Sequence, residues 1–319
     1  MAFRKTKGSV QIVVGLIILG LLVAMAITEP FYKTHRMKLI RQLPHYEKLD
    51  YIHLPPSIRP FSWLFPLATK RGDREIDLLG EVQLERSKYP SPNDLFPLGT
   101  THDGNDLLGL ILEGSSTLLF SGVLATIITL ITGLAGGIVI GMNRGTLLRI
   151  SQFPVSVLIS FPPLLLLLLV VSALGFGPSA LMVAIGVVNA PKVIDVIAKK
   201  IKHLRNQEFI LALYDAGLPF YTILGKYMLW NNCRRMLLVN AIYAFLAAVM
   251  LEISLSFLGF GILDRVSFGR LINRDIWSYV MQGYYWEFFF PLCMLIALLL
   301  GICILADGLG KRMTIKEQP

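Results

Sequence analysis

Charged side chains are scarce in this sequence. Asp, Glu, Lys and Arg together make up 16% of its 319 residues, and the mean hydropathy is +0.62. An ordinary soluble domain of this length carries a denser charged coat, so that class is excluded. Cysteine is scarce too. Cys233, Cys293 and Cys303 have no C-x-x-C spacing, and residues 30–113 hold none, which rules out a disulfide framework there and a cysteine-rich metal site. Catalytic motifs are missing as well. Gly99 and Gly104 have the glycine spacing of a phosphate-binding loop, but Asn105-Asp106 follow where Lys and then Ser or Thr are needed. There is no H-E-x-x-H, no G-x-S-x-G, and the histidines at 35, 45, 53, 102 and 203 do not cluster by spacing. No catalytic residue, metal site or bound cofactor is expected. If ATP drives this protein, the ATPase is a separate chain.

Long apolar runs are present instead. A span of the bilayer needs about 20 apolar residues. Such runs occupy roughly 10–27, 115–142, 154–175, 179–198, 236–258 and 287–306, which predicts an all-α polytopic membrane protein with about six transmembrane helices. Arg4, Lys5, Lys7 and Ala24-Met25-Ala26 around the first run are also compatible with a cleaved signal peptide, but the run is long for one and further spans follow, so an uncleaved anchor is preferred. Residues 30–113, rich in Pro, charge and aromatics, read as an extracytoplasmic segment with room for short strands. The predicted organisation is a tail and anchor at 1–29, that segment at 30–113, a five-helix core at 114–309 with a cytoplasmic loop at 199–235, and a tail at 310–319.

The formal net charge of +9 speaks for the membrane and against nucleic acid, because the basic residues flank apolar runs. Besides the N-terminal cluster they comprise Arg144 and Arg149, then Lys199, Lys200, Lys202, Arg205, Lys226, Arg234 and Arg235, then Lys311, Arg312 and Lys316. Six spans place all four groups, and both termini, in the cytoplasm. The loop after the fifth run, with Asp264, Arg265, Arg270, Arg274 and Asp275, blurs the separation.

Within the runs, Gly133, Gly137 and Gly141 recur every four residues, a spacing that lets helix backbones approach closely. Packing within the chain is the plainer reading, contact with a second subunit the sharper one. Pro162-Pro163, Pro191 and Pro291 mark kinks. Glu252 lies deep in the fifth run, where a charge faces a cavity or a partner. A role in a pathway or gate, with Ser254 and Phe257 beside it, stands next to a structural hydrogen bond or ion pair. Asp195 has Lys192, Lys199 and Lys200 within two turns and reads as a simple ion pair.

The loop at 199–235 contains a short helix from Glu208 that stops at Gly217 and Pro219, then a second short helix from near Phe220. This loop resembles the "EAA" loop of ABC-importer permeases. Ala212, Gly217, Ile223 and Leu229 fit its pattern, whereas Leu211 replaces the signature Glu and Trp230 the final Pro. Other segments, in order, strengthen the resemblance and point to the C-type subunit of the dipeptide/oligopeptide/nickel group of binding-protein-dependent inner-membrane components. They are Pro97-Leu98-Gly99-Thr100 with Asp103-Gly104-Asn105-Asp106 ("HPLGTDxxGRD"), Phe161-Pro162 ("FPxLLLA"), Glu252 to Gly261 ("EASLSFLGLG"), Ser267 to Ile272 ("SWGRML") and Asp307-Gly308-Leu309 ("GDxLRD").

The resemblance implies a type I ABC-importer permease fold in a bacterial inner membrane. It implies a second homologous permease, two ABC ATPase subunits that hold ATP and Mg, and an extracytoplasmic substrate-binding protein. On this reading Glu208, Ala212, Gly217, Ile223, Lys226 and Leu229 dock the ATPase. Ala212 and Gly217 act by leaving room, while Glu208 and Lys226 either make charged contacts or are a solvated surface. Peptides are the favoured substrate, with nickel or another small solute as the alternative. An ion-driven transporter would show a repeat and more ionisable residues at mid-membrane, and neither is visible. A non-transporting scaffold would keep the fold and stimulate no ATPase.

Overall fold

The computed structural model describes residues 2–41, 96–174, 177–261, 265–273 and 276–314. Among these residues the chain is helical, with one isolated β-bridge between Thr100 and Asp106. Helix α1 spans Ala2–Arg41, α2 Leu107–Met142, α3 Gly145–Ser160, α4 Pro163–Leu174, α5 Pro178–Arg205, α6 Glu208–Asp215 and α7 Phe220–Thr222. A π-helix, Ile223–Cys233, leads into α8, Arg234–Phe257, followed by α9, Phe268–Leu271, α10, Ile276–Met281, and α11, Trp286–Thr314. Among the described residues five helices are long and apolar enough to cross a membrane, and α3 with α4 makes a sixth candidate bent by 101°.

Three expectations change in detail. The first helix does not stop near residue 29 but runs through Pro30 to Arg41. The third apolar run is two helices, because Pro162 cannot donate to a helix ladder and Pro163 suits a helix start. The second short helix of the loop is not separate, since the helical path from Phe220 to Phe257 is unbroken. The short strands expected in 30–113 fall largely at 42–95, outside the described residues.

Contacts divide the chain into two compact units. One comprises Met1–Ile17, Phe120–Leu255 and Leu300–Pro319. Its helices meet through glycines. A Cβ added at Gly133, Gly137 or Gly141 would stand 2.6, 2.6 and 2.8 Å from side-chain carbons of Val193, Ile197 and Ile201 on α5, so the glycine face of α2 is covered by the chain's own helix. Gly186 on α5 returns the approach against Ile128, and Thr129 Oγ1 donates to the Gly186 carbonyl at 2.9 Å. The start of α1 lies on the end of α11. Gly15 faces Leu305, Gly308 faces Gln11 and Ile12, and Gln11 Nε2 donates to Asp307 Oδ2 at 3.3 Å. Asp195 pairs with Lys199 at 2.7 Å, one of its three lysine candidates.

The other unit comprises Ile18–Leu119 and Ser256–Leu299. Here the glycines of the loop-like motif have a structural use. Gly99 and Gly104 adopt φ of 82° and 68°, and Leu107 N–H donates to the Gly99 carbonyl at 3.1 Å, which folds residues 96–106 into a tight turn before α2. Asp106 anchors that turn. Its Oδ1 accepts from Leu108 N–H at 3.3 Å, and its Oδ2 accepts from the Tyr32 hydroxyl at 2.5 Å and Arg36 Nε at 3.3 Å. Burial pushes the Asp106 carboxyl above its ordinary range, while the Tyr32 hydroxyl and Arg36 guanidinium oppose that rise. Further along the turn, Trp286 Nε1 donates to the Thr100 carbonyl at 3.1 Å. His102 stacks on Tyr279 and approaches the buried Glu287 carboxylate at 3.2 Å through Nδ1.

Candidate coupling site

The exposed turn between α5 and the π-helix is built from a few strong local signals. Lys202, His203 and Arg205 occupy the last turn of α5, where cations suit the negative end of the helix dipole. Glu208 opens α6 at the positive end. Of the two residues between, Asn206 is hydrogen-bonded to α5 and Gln207 to both helices. Asn206 N–H donates to the His203 carbonyl at 3.3 Å and Gln207 N–H to Leu204 at 3.0 Å, while the Gln207 carbonyl accepts from Ile210 and Leu211 at 3.0 and 3.2 Å. Helix α6 closes with a Schellman motif. Gly217 N–H donates to Tyr214 at 3.0 Å and Leu218 N–H to Leu213 at 3.2 Å, and Gly217 takes φ +77°. Pro219 then caps α7.

Beneath the turn is a buried apolar floor. Ile210, Ile223, Met228 and Cys233 are fully buried against Val193, Ile197, Ile201 and Leu204 of α5, with Leu213, Leu218, Tyr227 and Leu229 packed around them. The outward surface is unusually apolar. Phe209, Leu211, Tyr214, Phe220, Tyr221 and Trp230 are all exposed, Tyr221 by 75%.

The six residues singled out for docking therefore divide. Glu208, Ala212, Gly217 and Lys226 are exposed. Ile223 has no exposed surface and holds the turn from below, while Leu229 is half-buried against the same floor. A Cβ at Gly217 would meet nothing within 4 Å, so within this chain the residue is needed for its backbone angle rather than for space.

Glu252 is buried, at 1% exposure. Ser254 donates its hydroxyl to the Met250 carbonyl of its own helix at 2.7 Å, and Phe257 is 45% exposed. At 100° per residue these three do not share one face of α8. Ser256, four residues from Glu252 and fully buried, shares its face instead. Among the described residues no group of three or more His, Cys, Asp or Glu side chains is placed to hold a metal ion.

Arg205 is the residue that sequence reading missed. It counted there only as a charge that sets orientation. The structure buries it to 7% exposure, and its Nη1 donates to three carbonyls at the end of α2: Gly141 at 3.1 Å, Met142 at 2.8 Å and Asn143 at 2.7 Å. These are carbonyls that a helix leaves without partners.

Residues 133–315 match the family described as binding-protein-dependent transport system inner membrane component, more than half of the chain. The chain belongs to this family. The matched stretch begins at the first glycine of the α2 face and contains the whole turn from Arg205 to Cys233. Among its relatives is the dipeptide transport system permease protein DppC of Bacillus subtilis, 28% identical over 225 residues, covering 70% of this chain and 69% of the relative. The oligopeptide transport system permease protein OppC of the same organism is 26% identical over 227 residues, 71% and 73% of the two chains. The di/tripeptide transport system permease protein DppC of Pseudomonas aeruginosa is 25% identical over 214 residues, 67% and 70% of the two chains. This family member is a multi-pass membrane protein, and its family is one of transport components rather than enzymes.

Proposed function

We propose that this chain is one permease subunit of an ATP-driven importer of short peptides. It lines the pathway together with a second homologous permease and is driven by two ABC ATPase subunits that bind ATP and Mg. An extracytoplasmic binding protein delivers the substrate. The protein resides in a bacterial inner membrane with both termini in the cytoplasm. The observation that carries this reading is the turn at 206–219, an exposed, internally hydrogen-bonded helix seated on a buried floor inside the family-matched region. Such a handle gives a separate ATPase a rigid grip. Glu208, Ala212, Gly217 and Lys226 contribute its surface, and Glu252, inside the membrane, serves the pathway or its gate. The peptide assignment comes from the substrates in the relatives' names.

The test is purification from the native membrane in mild detergent, identification of co-purifying chains, and uptake of labelled trialanine by proteoliposomes of the complex. An ATPase and a second permease should be recovered, with uptake that requires ATP and the binding protein. Recovery of the chain with no ATPase under any mild condition would sink the importer reading and favour a scaffold.

A further inference from the structure

We propose that Arg205 is the positioning residue that transmits movement of the docking helix α6 to the ends of α2 and α3. This rests on the importer reading, and it assigns a mechanical role to a side chain outside the docking surface.

The link is continuous in hydrogen bonds. Helix α6 is joined to α5 through Asn206, bonded to α5, and Gln207, whose backbone bonds to both helices, so a pull on α6 is carried to the end of α5 beside Arg205. The Arg205 guanidinium holds the carbonyls of Gly141, Met142 and Asn143. Asn143 in turn donates from Nδ2 to Ser151 Oγ on α3 at 3.3 Å. Arg205 therefore connects three helices from one buried point.

The glycine face brings α2 and α5 close along Gly133, Gly137 and Gly141, and the Arg205 bonds fix the end of that contact. A guanidinium bonded to three carbonyls opposes relative movement of the two helix ends, because displacement would break those bonds together. A plain helix cap would need neither burial of the guanidinium nor its place three residues before the docking helix.

The test uses the purified complex in lipid nanodiscs and follows amide hydrogen exchange with and without Mg and a non-hydrolysable ATP analogue. In the native complex the nucleotide should change exchange both at 206–219 and at 138–151. With Arg205→Met the change at 206–219 should persist and that at 138–151 should be lost, and Arg205→Lys should restore part of it. The proposal is overturned if 138–151 responds fully in Arg205→Met. It is equally overturned if the ATPase no longer co-purifies with that variant, because Arg205 would then serve only the shape of the turn. Should Arg205→Met fail to fold, Ser151→Ala removes one bond of the same chain, and the response should then stop before 151. A full response at 147–155 in that variant overturns the proposal. A native complex without ATPase refutes the importer reading itself, a result distinct from any of these.

Discussion

At Gly217 a single backbone angle decides where the docking helix ends. An L-residue pays for φ of +77° by crowding Cβ against its own carbonyl, at about 1–2 kcal/mol, and Asn pays less than others. Gly217→Val should therefore lower the thermal midpoint of the purified protein, whereas Gly217→Asn should lower it little. Since a Cβ there meets nothing within the chain, a loss of ATPase binding in Gly217→Asn without a change in midpoint would place the partner's surface directly over this residue. The α2 glycines behave oppositely. An added methyl at Gly137 would lie 2.6 Å from Ile197 Cβ, so Gly137→Ala should destabilise by about 1–3 kcal/mol through overpacking. Gly20 in α1 faces open space, and Gly20→Ala should stabilise by about 0.5–1 kcal/mol. Thermal midpoints in one detergent decide both signs. The glycine spacing was legible in the sequence because it is a local period. Arg205 was not, because its partners lie 62 to 64 residues earlier in the chain and only tertiary packing brings them together.

The elements show a similar division. Pro162-Pro163 announced a kink in the third apolar run, but apolar length carries no direction, so the size of the bend, 101°, was not legible. The π-helix at Ile223–Cys233 was equally hidden, since its extra residue per turn leaves composition unchanged. The charges after residue 30 suggested that α1 had left the membrane layer. They continue the same helix, with Arg36 tied to Asp106 and Lys33 to Glu113. At the other end of α1, Gly15 approaches the Leu305 backbone so closely that any side chain would collide, and Gln11 bonds Asp307. From this fit to the last helix we expect the segment to be retained in the protein. N-terminal sequencing of the membrane-extracted protein should find residues upstream of Ala24-Met25-Ala26. Gly15→Leu should release α1 from α11 and expose it to added protease. A chain beginning at Ile27 would overturn this assignment.

For the whole molecule, the count of crossings turns on the bent pair, because an even number puts both termini on one side and a re-entrant pair would not. Arg205 settles which end of α5 lies beside the end of α2, since the two are bonded directly. The chain leaves that point at Gly145 and must return to α5 at Pro178, the far end of a 28-residue helix about 42 Å long. Helices α3 and α4, of 16 and 12 residues, span about 27 Å end to end at a 101° bend, close to the roughly 30 Å of hydrocarbon, and the linkers supply the rest. We predict from this geometry that α3–α4 is a crossing, which places Arg144 and Arg149 on the same side as Lys199 to Arg205. Single cysteines can check this in a background where Cys233, Cys293 and Cys303 are replaced by Ala. In spheroplasts a membrane-impermeant maleimide should label Gly177→Cys, and should label Thr146→Cys and Ala216→Cys only after permeabilisation. Labelling of Thr146→Cys and Ala216→Cys from opposite sides would make the pair re-entrant. It would also contradict the Arg205 contact, because the end of α2 and the start of the docking helix cannot lie across a bilayer from each other while one guanidinium joins them.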